Sequence, residues 1–204
     1  MEFFTSSPIT SSLLLANIVA SMVGFAAPDF VNQNSLWIRP IREQGQWHRV
    51  LTSGFLHVNG MHLFVNMLTL YYFGPPLEHV FGSTGFLILY FGSLLGGSFW
   101  EIVDKSRQPD YRAIGASGAI SGLMSAVGIL FPFATIYLMF ALPIWAGLYA
   151  LLFIVISFIY SQRENTMIAH GAHLGGAVAG LVLTLVLRPE SFSELLDQIA
   201  QQFG

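Results

Sequence analysis

Charged residues are scarce in this chain, and cysteine is absent. Of the 204 residues, 9% are charged and 54% are hydrophobic, and the mean hydropathy is +0.64. A soluble domain carries about 25% charged residues, so this chain has too few to cover a water-facing surface. An ordinary cytosolic enzyme and a disordered chain are therefore excluded. The missing cysteines also exclude a disulfide framework, a thiolate metal site and a cysteine nucleophile.

Basic residues are scarce as well. The chain has 8 Lys and Arg against 11 Asp and Glu, which gives a formal net charge of −3. Proteins that bind nucleic acids need many cationic side chains to neutralise phosphates. No nucleic-acid partner is expected, and the main surroundings of this chain are predicted to be the lipid bilayer.

Long apolar runs take up most of the sequence. A helix needs about 20 apolar residues to cross a hydrocarbon core about 30 Å thick, and six runs come close to this length. We therefore predict an all-α membrane protein built as a bundle of six transmembrane helices. The predicted spans are residues 9–27, 62–81, 86–103, 116–130, 143–160 and 169–187.

The chain is predicted to form a single membrane domain over residues 1–204, with a core at about 9–188. The first span is interpreted as a retained anchor rather than a cleaved signal peptide. Residues 189–204 form a short tail with apolar positions at Leu195, Leu196, Ile199 and Phe203. This spacing predicts an amphipathic helix lying on the membrane surface.

Polar side chains lie at one end of three of the spans. His57, His62 and Asn66 open the second span, the segment Gly115-Ala116-Ser117-Gly118 opens the fourth, and His170 and His173 open the sixth. In an up-and-down bundle, these ends lie on the same side of the membrane. Because a polar side chain inside a span is costly, each of these residues is a functional candidate. Glu78 and Glu101 lie near span ends and are expected to reach interfacial water.

This set of residues suits nucleophilic catalysis. A serine becomes a good nucleophile when a base removes its proton, and histidine is the usual base near neutral pH. Small residues repeat on the fourth and sixth spans, so the two helices can approach closely and bring Ser117 to His173. Ser117 also lies in the first turn of its predicted helix, where free N–H groups favour an oxyanion. His62 and Asn66 could donate to the same oxyanion. The small residues are Gly118, Ser121, Gly122 and Ser125 in the fourth span, and Ala172, Gly176 and Gly180 in the sixth.

These motifs together resemble the rhomboid intramembrane serine proteases. The resemblance is carried by Gly115-Ala116-Ser117-Gly118, by His62-x-x-x-Asn66 and by Ala172-His173-x-x-Gly176-x-x-x-Gly180. The segment Trp47-His48-Arg49, followed by Leu51-Thr52 and Phe55-Leu56-His57, resembles the first-loop signature of the family. The resemblance covers about residues 35–185.

The resemblance implies a rhomboid-like bundle of six helices around a water-filled cavity. Ser117 would be the nucleophile and His173 its base, while His62 and Asn66 would stabilise the oxyanion. Trp47 and Arg49 would order the first loop. The implied activity is that of a serine endopeptidase that cuts transmembrane segments of other membrane proteins. No cofactor and no metal are implied.

The chain differs from the family pattern at a few positions. Ser121 lies one turn after Ser117, where some members carry an aromatic residue that packs under the catalytic histidine. His170 stands where some members carry Asn and is given no role. We expect His57 to be structural and to bind backbone in the first loop.

Other functions remain open at this point. The chain could be a catalytically idle rhomboid-like chaperone or adaptor that binds client helices, although such relatives typically lack the serine or the histidine, and both are present here. A transporter would need polar residues at several depths, whereas these cluster at one end. A zinc site at His170 and His173 lacks an HExxH motif and nearby carboxylates. No predicted span contains Asp, which excludes an aspartate-based intramembrane protease.

Two indicators of membrane orientation disagree. The loops on the side of the polar cluster hold seven of the eight basic residues, and the opposite side holds only Arg188. The positive-inside rule therefore predicts a cytoplasmic site, whereas the family resemblance implies a non-cytoplasmic one. A multi-pass protein of a prokaryotic plasma membrane is the simplest expected location. The seven basic residues are Arg39, Arg42, Arg49, Lys105, Arg107, Arg112 and Arg163.

Overall fold

The structure is a computed structural model that describes residues 6–138, 141–161 and 169–204. Arg163, one of the basic residues counted above, lies outside the described residues. The helices are α1 (Pro8–Ala26), α2 (Pro28–Asn34), α3 (Ile38–Gln44), α4 (Arg49–Thr52), α5 (Gly60–Asp104), α6 (Ser117–Leu130), α7 (Ala146–Ser161), α8 (His170–Leu187) and α9 (Ser191–Phe203). A single 3₁₀ turn covers Ser53–Phe55, and short strands are β1 (Leu36–Trp37), β2 (Arg112–Ala113), β3 (Thr135–Leu138) and β4 (Leu142–Trp145).

The helical membrane architecture is confirmed. Within the described residues, α1, α5 and α8 are long and apolar enough to cross a membrane, and α6 and α7 are shorter apolar helices. The number of six spans stays a prediction. The amphipathic segment forms α9 over Ser191–Phe203, and its position on the membrane surface also stays a prediction.

Helix α5 contains two of the predicted spans. It has 45 residues, so a straight helix of this length would measure about 68 Å, more than twice the thickness of the hydrocarbon core. Gly82 interrupts it with a φ of 67° and a ψ of 168°, a conformation that glycine tolerates best. His62 and Gly97, from opposite ends of α5, both lie against the segment Gly115–Gly118. The two halves are therefore folded back on each other.

Helix α6 lies at the centre of the bundle. Of its 14 residues, all but Ser117 and Gly128 are buried. It packs against α5, α7 and α8, so its small residues leave room for three neighbours. This central position brings its first residue, Ser117, to the point where the ends of α5 and α8 meet.

Two predictions about local structure are wrong. The fifth helix was expected to begin at Pro143, but Pro143 lies in β4, which pairs with β3 in an antiparallel hairpin, and α7 begins at Ala146. Glu78 and Glu101 were expected to reach interfacial water, but their exposed fractions are only 4% and 0%. Both carboxylates instead satisfy the free N–H groups of a helix N-terminus.

Glu78 caps α1 from a different helix. Its carboxylate accepts hydrogen bonds from the backbone N–H groups of Ile9 and Thr10 at 3.0 and 2.8 Å, and from the Thr10 hydroxyl at 2.8 Å. Pro8, which has no N–H, occupies the preceding position. The negative charge also suits the positive end of the helix dipole, which explains how a carboxylate can be buried in an apolar bundle.

The two long loops pack together into one layer on the same side of the bundle as Ser117. Strand β1 of the first loop pairs with β2 of the second, with Leu36 opposite Ala113 and Trp37 opposite Arg112. A small second core lies beneath them, formed by Leu36, Ile38, Ile41 and Ile102. This layer lies against the segment that leads into α6.

Candidate active site

One cavity collects all four predicted site residues. Ser117 from α6, His173 from α8, and His62 and Asn66 from α5 line a cavity of about 820 Å³. This volume lies in the range of about 300–1,000 Å³ that is typical of ligand sites. The helix bundle thus brings together residues that are more than 100 positions apart in sequence.

Glycines bring α6 and α8 into backbone contact beside this cavity. A Cβ atom on Gly176 would collide with the carbonyl group of Gly118, and one on Gly180 would collide with the backbone of Gly122. Gly118 follows Ser117, and Gly176 lies about one turn after His173. The predicted close approach of the two small-residue faces is therefore present, and it draws together the two helices that carry the serine and the histidine.

The turn before Ser117 requires glycine. Gly115 has a φ of 142°, which L side chains rarely adopt. A Cβ atom there would lie 2.8 Å from Cε1 and 3.1 Å from Nε2 of His62, and 3.6 Å from the Ser117 hydroxyl oxygen. The absence of a side chain at position 115 therefore leaves open the space that His62 and Ser117 both face.

The imidazole ring of His57 supports this turn by binding a backbone N–H group within it. The Ser21 hydroxyl donates to the Phe55 carbonyl at 3.0 Å and lies 2.8 Å from Nδ1 of His57. Because the only hydroxyl proton of Ser21 is already used, Nδ1 of His57 carries the proton and donates to Ser21. The unprotonated Nε2 then accepts the backbone N–H of Ala116 at 3.5 Å. His57 thus connects α1 to the residue preceding Ser117.

The neutral state of His57 predicts acid sensitivity of the fold. Burial, together with the nearby His62, lowers the pKa of His57 from 6.5 to about 3. Between these values the unfolded chain binds a proton that the folded protein does not, so stability falls as the pH falls from 6.5 towards 3. We expect His57→Gln, which keeps one donor and one acceptor without a titratable ring, to flatten this dependence. Unfolding midpoints in detergent micelles across this pH range would measure it, and equal slopes for both proteins would contradict the assignment.

Two polar groups of the cavity are bound to helix backbone. The Asn66 amide donates to the His62 carbonyl at 2.9 Å, and the Ser121 hydroxyl donates to the Ser117 carbonyl at 2.6 Å. One N–H of the Asn66 amide therefore remains for a ligand. Ser121, by contrast, has its only proton engaged with the backbone.

An aromatic ring from α7 contacts His173. The Phe153 ring stacks on the His173 imidazole with a centroid distance of 5.5 Å and an angle of 29° between the ring planes. His170 meets the same imidazole nearly edge-on, at 5.7 Å and 77°. Phe153 could not be identified from the sequence, because one phenylalanine among the many apolar residues of α7 does not stand out from its neighbours.

Glu101 supports the first turn of α8. Its carboxylate oxygen Oε1 accepts the backbone N–H of Ala172 at 2.7 Å, and Ala169, the N-cap of α8, makes no side-chain capping bond. A carboxylate from α5 therefore caps the helix next to His173. In the sequence, Glu101 is recognisable only as an acidic residue inside an apolar run. A carboxylate in such a position can be stabilised by burial beside a helix N-terminus.

The loop residues differ partly from expectation. Arg49 is buried, and its guanidinium donates to the carbonyls of Asn32 and Ser35 at 2.7 and 3.0 Å, which orders the first loop. Trp47 is 59% exposed. Trp37, rather than Trp47, contacts the second long loop. The Arg112 guanidinium lies 3.6 Å from the centroid of the Trp37 ring and so links the two long loops.

Comparison with known proteins agrees with this geometry. A family model described as "Rhomboid domain" matches residues 44–190, which include all four predicted site residues. The chain belongs to the rhomboid family. The resemblance noted from the sequence motifs is therefore confirmed, and this rhomboid is an integral, multi-pass membrane protein.

Three of the similar proteins come from one plant and one bacterium. This rhomboid is 32% identical over 168 residues to "RHOMBOID-like protein 12, mitochondrial" of Arabidopsis thaliana, covering 74% of this chain and 49% of the relative. It is 30% identical over 166 residues to "Rhomboid-like protein 16, chloroplastic" of the same plant, covering 72% and 51%. It is 31% identical over 144 residues to "Rhomboid protease GluP" of Bacillus subtilis (strain 168), covering 71% and 27%.

The chain spans about half the length of the two plant relatives. Some relatives are named as proteases and others only as rhomboid-like proteins, so the family includes serine proteases without assigning that activity to each member. Two of the three relatives above are named for organelles. The expected location in a prokaryotic plasma membrane therefore gains no support from them.

Proposed function

We propose that this rhomboid is a serine endopeptidase that cleaves transmembrane segments of other membrane proteins. The observation that carries the proposal is the single cavity lined by Ser117, His173, His62 and Asn66. The family membership supports it, since relatives include proteins named as rhomboid proteases. The substrates are taken to be membrane proteins, because a cavity within the membrane is accessible to chains that lie in the same bilayer.

In the proposed reaction, His173 removes the proton of the Ser117 hydroxyl while the serine oxygen bonds to the carbonyl carbon of the scissile peptide. The carbonyl oxygen becomes an oxyanion, which the N–H groups at the start of α6 and the side chains of His62 and Asn66 stabilise. The imidazolium then gives its proton to the departing amide nitrogen as the C–N bond breaks. Water hydrolyses the resulting ester of Ser117 and restores the enzyme.

The substrate must unwind before this attack. In a transmembrane helix each carbonyl accepts a hydrogen bond from the N–H four residues further along and is surrounded by the helix backbone. The scissile segment therefore has to leave the helical conformation and enter the cavity in an extended form. Substrates with helix-breaking residues near one end of the span are expected to be cleaved best.

The activity can be tested with purified protein in liposomes that contain a single-span substrate carrying Gly and Pro near one end of its span. We expect a cut within or beside the span, identified by mass spectrometry of the new terminus. A fluorophosphonate probe should label Ser117, as located by tandem mass spectrometry. If the probe labels Ser117 but a panel of such substrates stays intact, the proposed substrate class is wrong. If the probe does not label Ser117 and no substrate is cleaved, a catalytically inactive binding protein is favoured.

The oxyanion role of His62 predicts a loss of turnover. We expect His62→Ala to lower kcat by about 10²–10³-fold with little change in KM, as is usual when one oxyanion donor is removed. Asn66→Ala should have a smaller effect, because part of its amide already binds the His62 carbonyl. His79→Ala is a matched control, since His79 is exposed at the far end of the same half of α5. A raised KM with unchanged kcat would instead indicate a role in substrate binding.

A further inference from the structure

The stacked pair of Phe153 and His173 joins two helices across the cavity. Phe153 belongs to α7 and His173 to α8, and both side chains line the same cavity as Ser117. The centroid distance of 5.5 Å and the plane angle of 29° describe a nearly parallel arrangement. Tyr149, one turn earlier on α7, lies 6.3 Å from the Phe153 ring and faces the cavity as well. The imidazole is therefore covered on one face by an aromatic ring.

We propose that Phe153 is a positioning residue for His173, holding the imidazole plane towards Ser117 and stabilising the imidazolium that forms when the serine proton is transferred. This inference rests on the proposed function, because the imidazolium forms only if His173 acts as the base. Phe153 itself contacts neither the serine nor the scissile bond in this scheme.

The stacked ring limits the orientations that the His173 imidazole can adopt. An imidazole on a two-bond tether can rotate about χ1 and χ2, and a base acts only when one ring nitrogen faces the hydroxyl. The Phe153 face limits motion in one direction, and the edge of His170 limits it in another. Ser121 is too small to do the same from α6, and its hydroxyl is bound to the Ser117 carbonyl.

The stacked ring also favours a positive charge on the His173 imidazole. The face of an aromatic ring is negative, and a cation within about 6 Å of its centroid is attracted to it. In the resting enzyme the imidazole is neutral, whereas in the transition state it carries the proton taken from Ser117. The attraction is therefore stronger in the transition state than in the ground state, and such an interaction raises kcat rather than lowering KM.

The kinetic test compares Phe153→Leu with Phe153→Tyr in the liposome assay. Leucine keeps an apolar side chain of moderate size but has no ring, whereas tyrosine keeps the ring. We expect Phe153→Leu to lower kcat about 3- to 30-fold with KM nearly unchanged, and Phe153→Tyr to restore most of the rate. Leu152→Ala is the matched control, because Leu152 immediately precedes Phe153 on α7 and is 42% exposed. An unchanged or raised kcat in Phe153→Leu would overturn the proposal, because it would show that the ring merely narrows the cavity.

A second readout does not depend on proteolysis. In protein labelled with ¹³C at histidine Cε1, the His173 signal, assigned with His173→Gln, should shift upfield because it lies over the ring face. This shift should disappear in Phe153→Leu and persist in Phe153→Tyr. If wild-type protein shows no cleavage but the ring-dependent shift is present, the protease function fails while the positioning contact stands. If the His173 signal is identical in all three proteins, the positioning contact itself is refuted.

Discussion

Ser117→Ala is expected to lower the rate of peptide-bond cleavage by at least about 10³-fold, because it removes the atom that bonds to the scissile carbonyl carbon. His173→Ala should cause a loss of similar size, and the double variant should be no worse than either single one, since the two residues act as a unit. The fold should survive both changes, because Ser117 and His173 are both half-buried side chains at the cavity wall. Cleavage of the single-span substrate in liposomes measures the effect.

Ser125→Ala is the matched control for this prediction. Ser125 lies two turns further along α6, is buried, and donates its hydroxyl to the Ser121 carbonyl at 3.2 Å. It should retain activity close to that of the wild type and should still react with the fluorophosphonate. Cleavage by Ser117→Ala at the wild-type rate would contradict the nucleophile assignment directly.

Gly176→Ala is expected to lower both the stability and the activity of the protein. Alanine there would place a Cβ atom against the Gly118 carbonyl, and a backbone atom cannot move aside as a flexible side chain can. The two helices must then separate, which we expect to destabilise the protein by about 1–3 kcal/mol or more. Activity should fall further than stability alone explains, because the same displacement moves Ser117 away from His173.

Gly60→Ala is a suitable control for the Gly176 variant. A Cβ atom on Gly60 would have no neighbour within 4 Å, and Gly60 is the first residue of α5. This change should leave the free energy of unfolding the same or raise it by about 0.4–1 kcal/mol. Unfolding in mixed micelles, together with the liposome assay, measures both quantities. Equal midpoints for Gly176→Ala and the wild type would show that α6 and α8 can move apart without cost.

Much of the candidate site could be predicted from the sequence because its residues are polar and the residues around them are apolar. Ser117, His173, His62 and Asn66 are polar residues at the ends of apolar runs, and lipid makes such positions costly. The spacing of Gly176 and Gly180 indicated a helix face without side chains, which fits a close helix contact. In each case the signal is local, since it depends only on a residue and its neighbours along one helix.

Phe153 and Glu101 could not be assigned in this way. Phe153 matters because its ring meets His173, and that depends on how α7 is rotated about its axis, which an apolar run does not specify. His57 was expected to bind backbone in the first loop, but its ring accepts the N–H of Ala116, in the turn before α6. Ser21, His57 and Ala116 come from three separate segments, and their hydrogen bonds exist only once the fold brings α1, the segment after the 3₁₀ turn and the turn before α6 together. Glu101 was expected near water because its contact with Ala172 of α8 cannot be inferred from α5 alone.

The sequence by itself determined that this protein is a helical membrane protein and which polar residues are candidates for catalysis. These properties follow from the cost of placing each residue in lipid, which is nearly independent of the rest of the fold. The tertiary structure decided the reversal at Gly82, the β3–β4 hairpin and the partners of His173, His57 and Glu101. These features depend on contacts between segments distant in the chain, where packing and hydrogen bonding outweigh local preference.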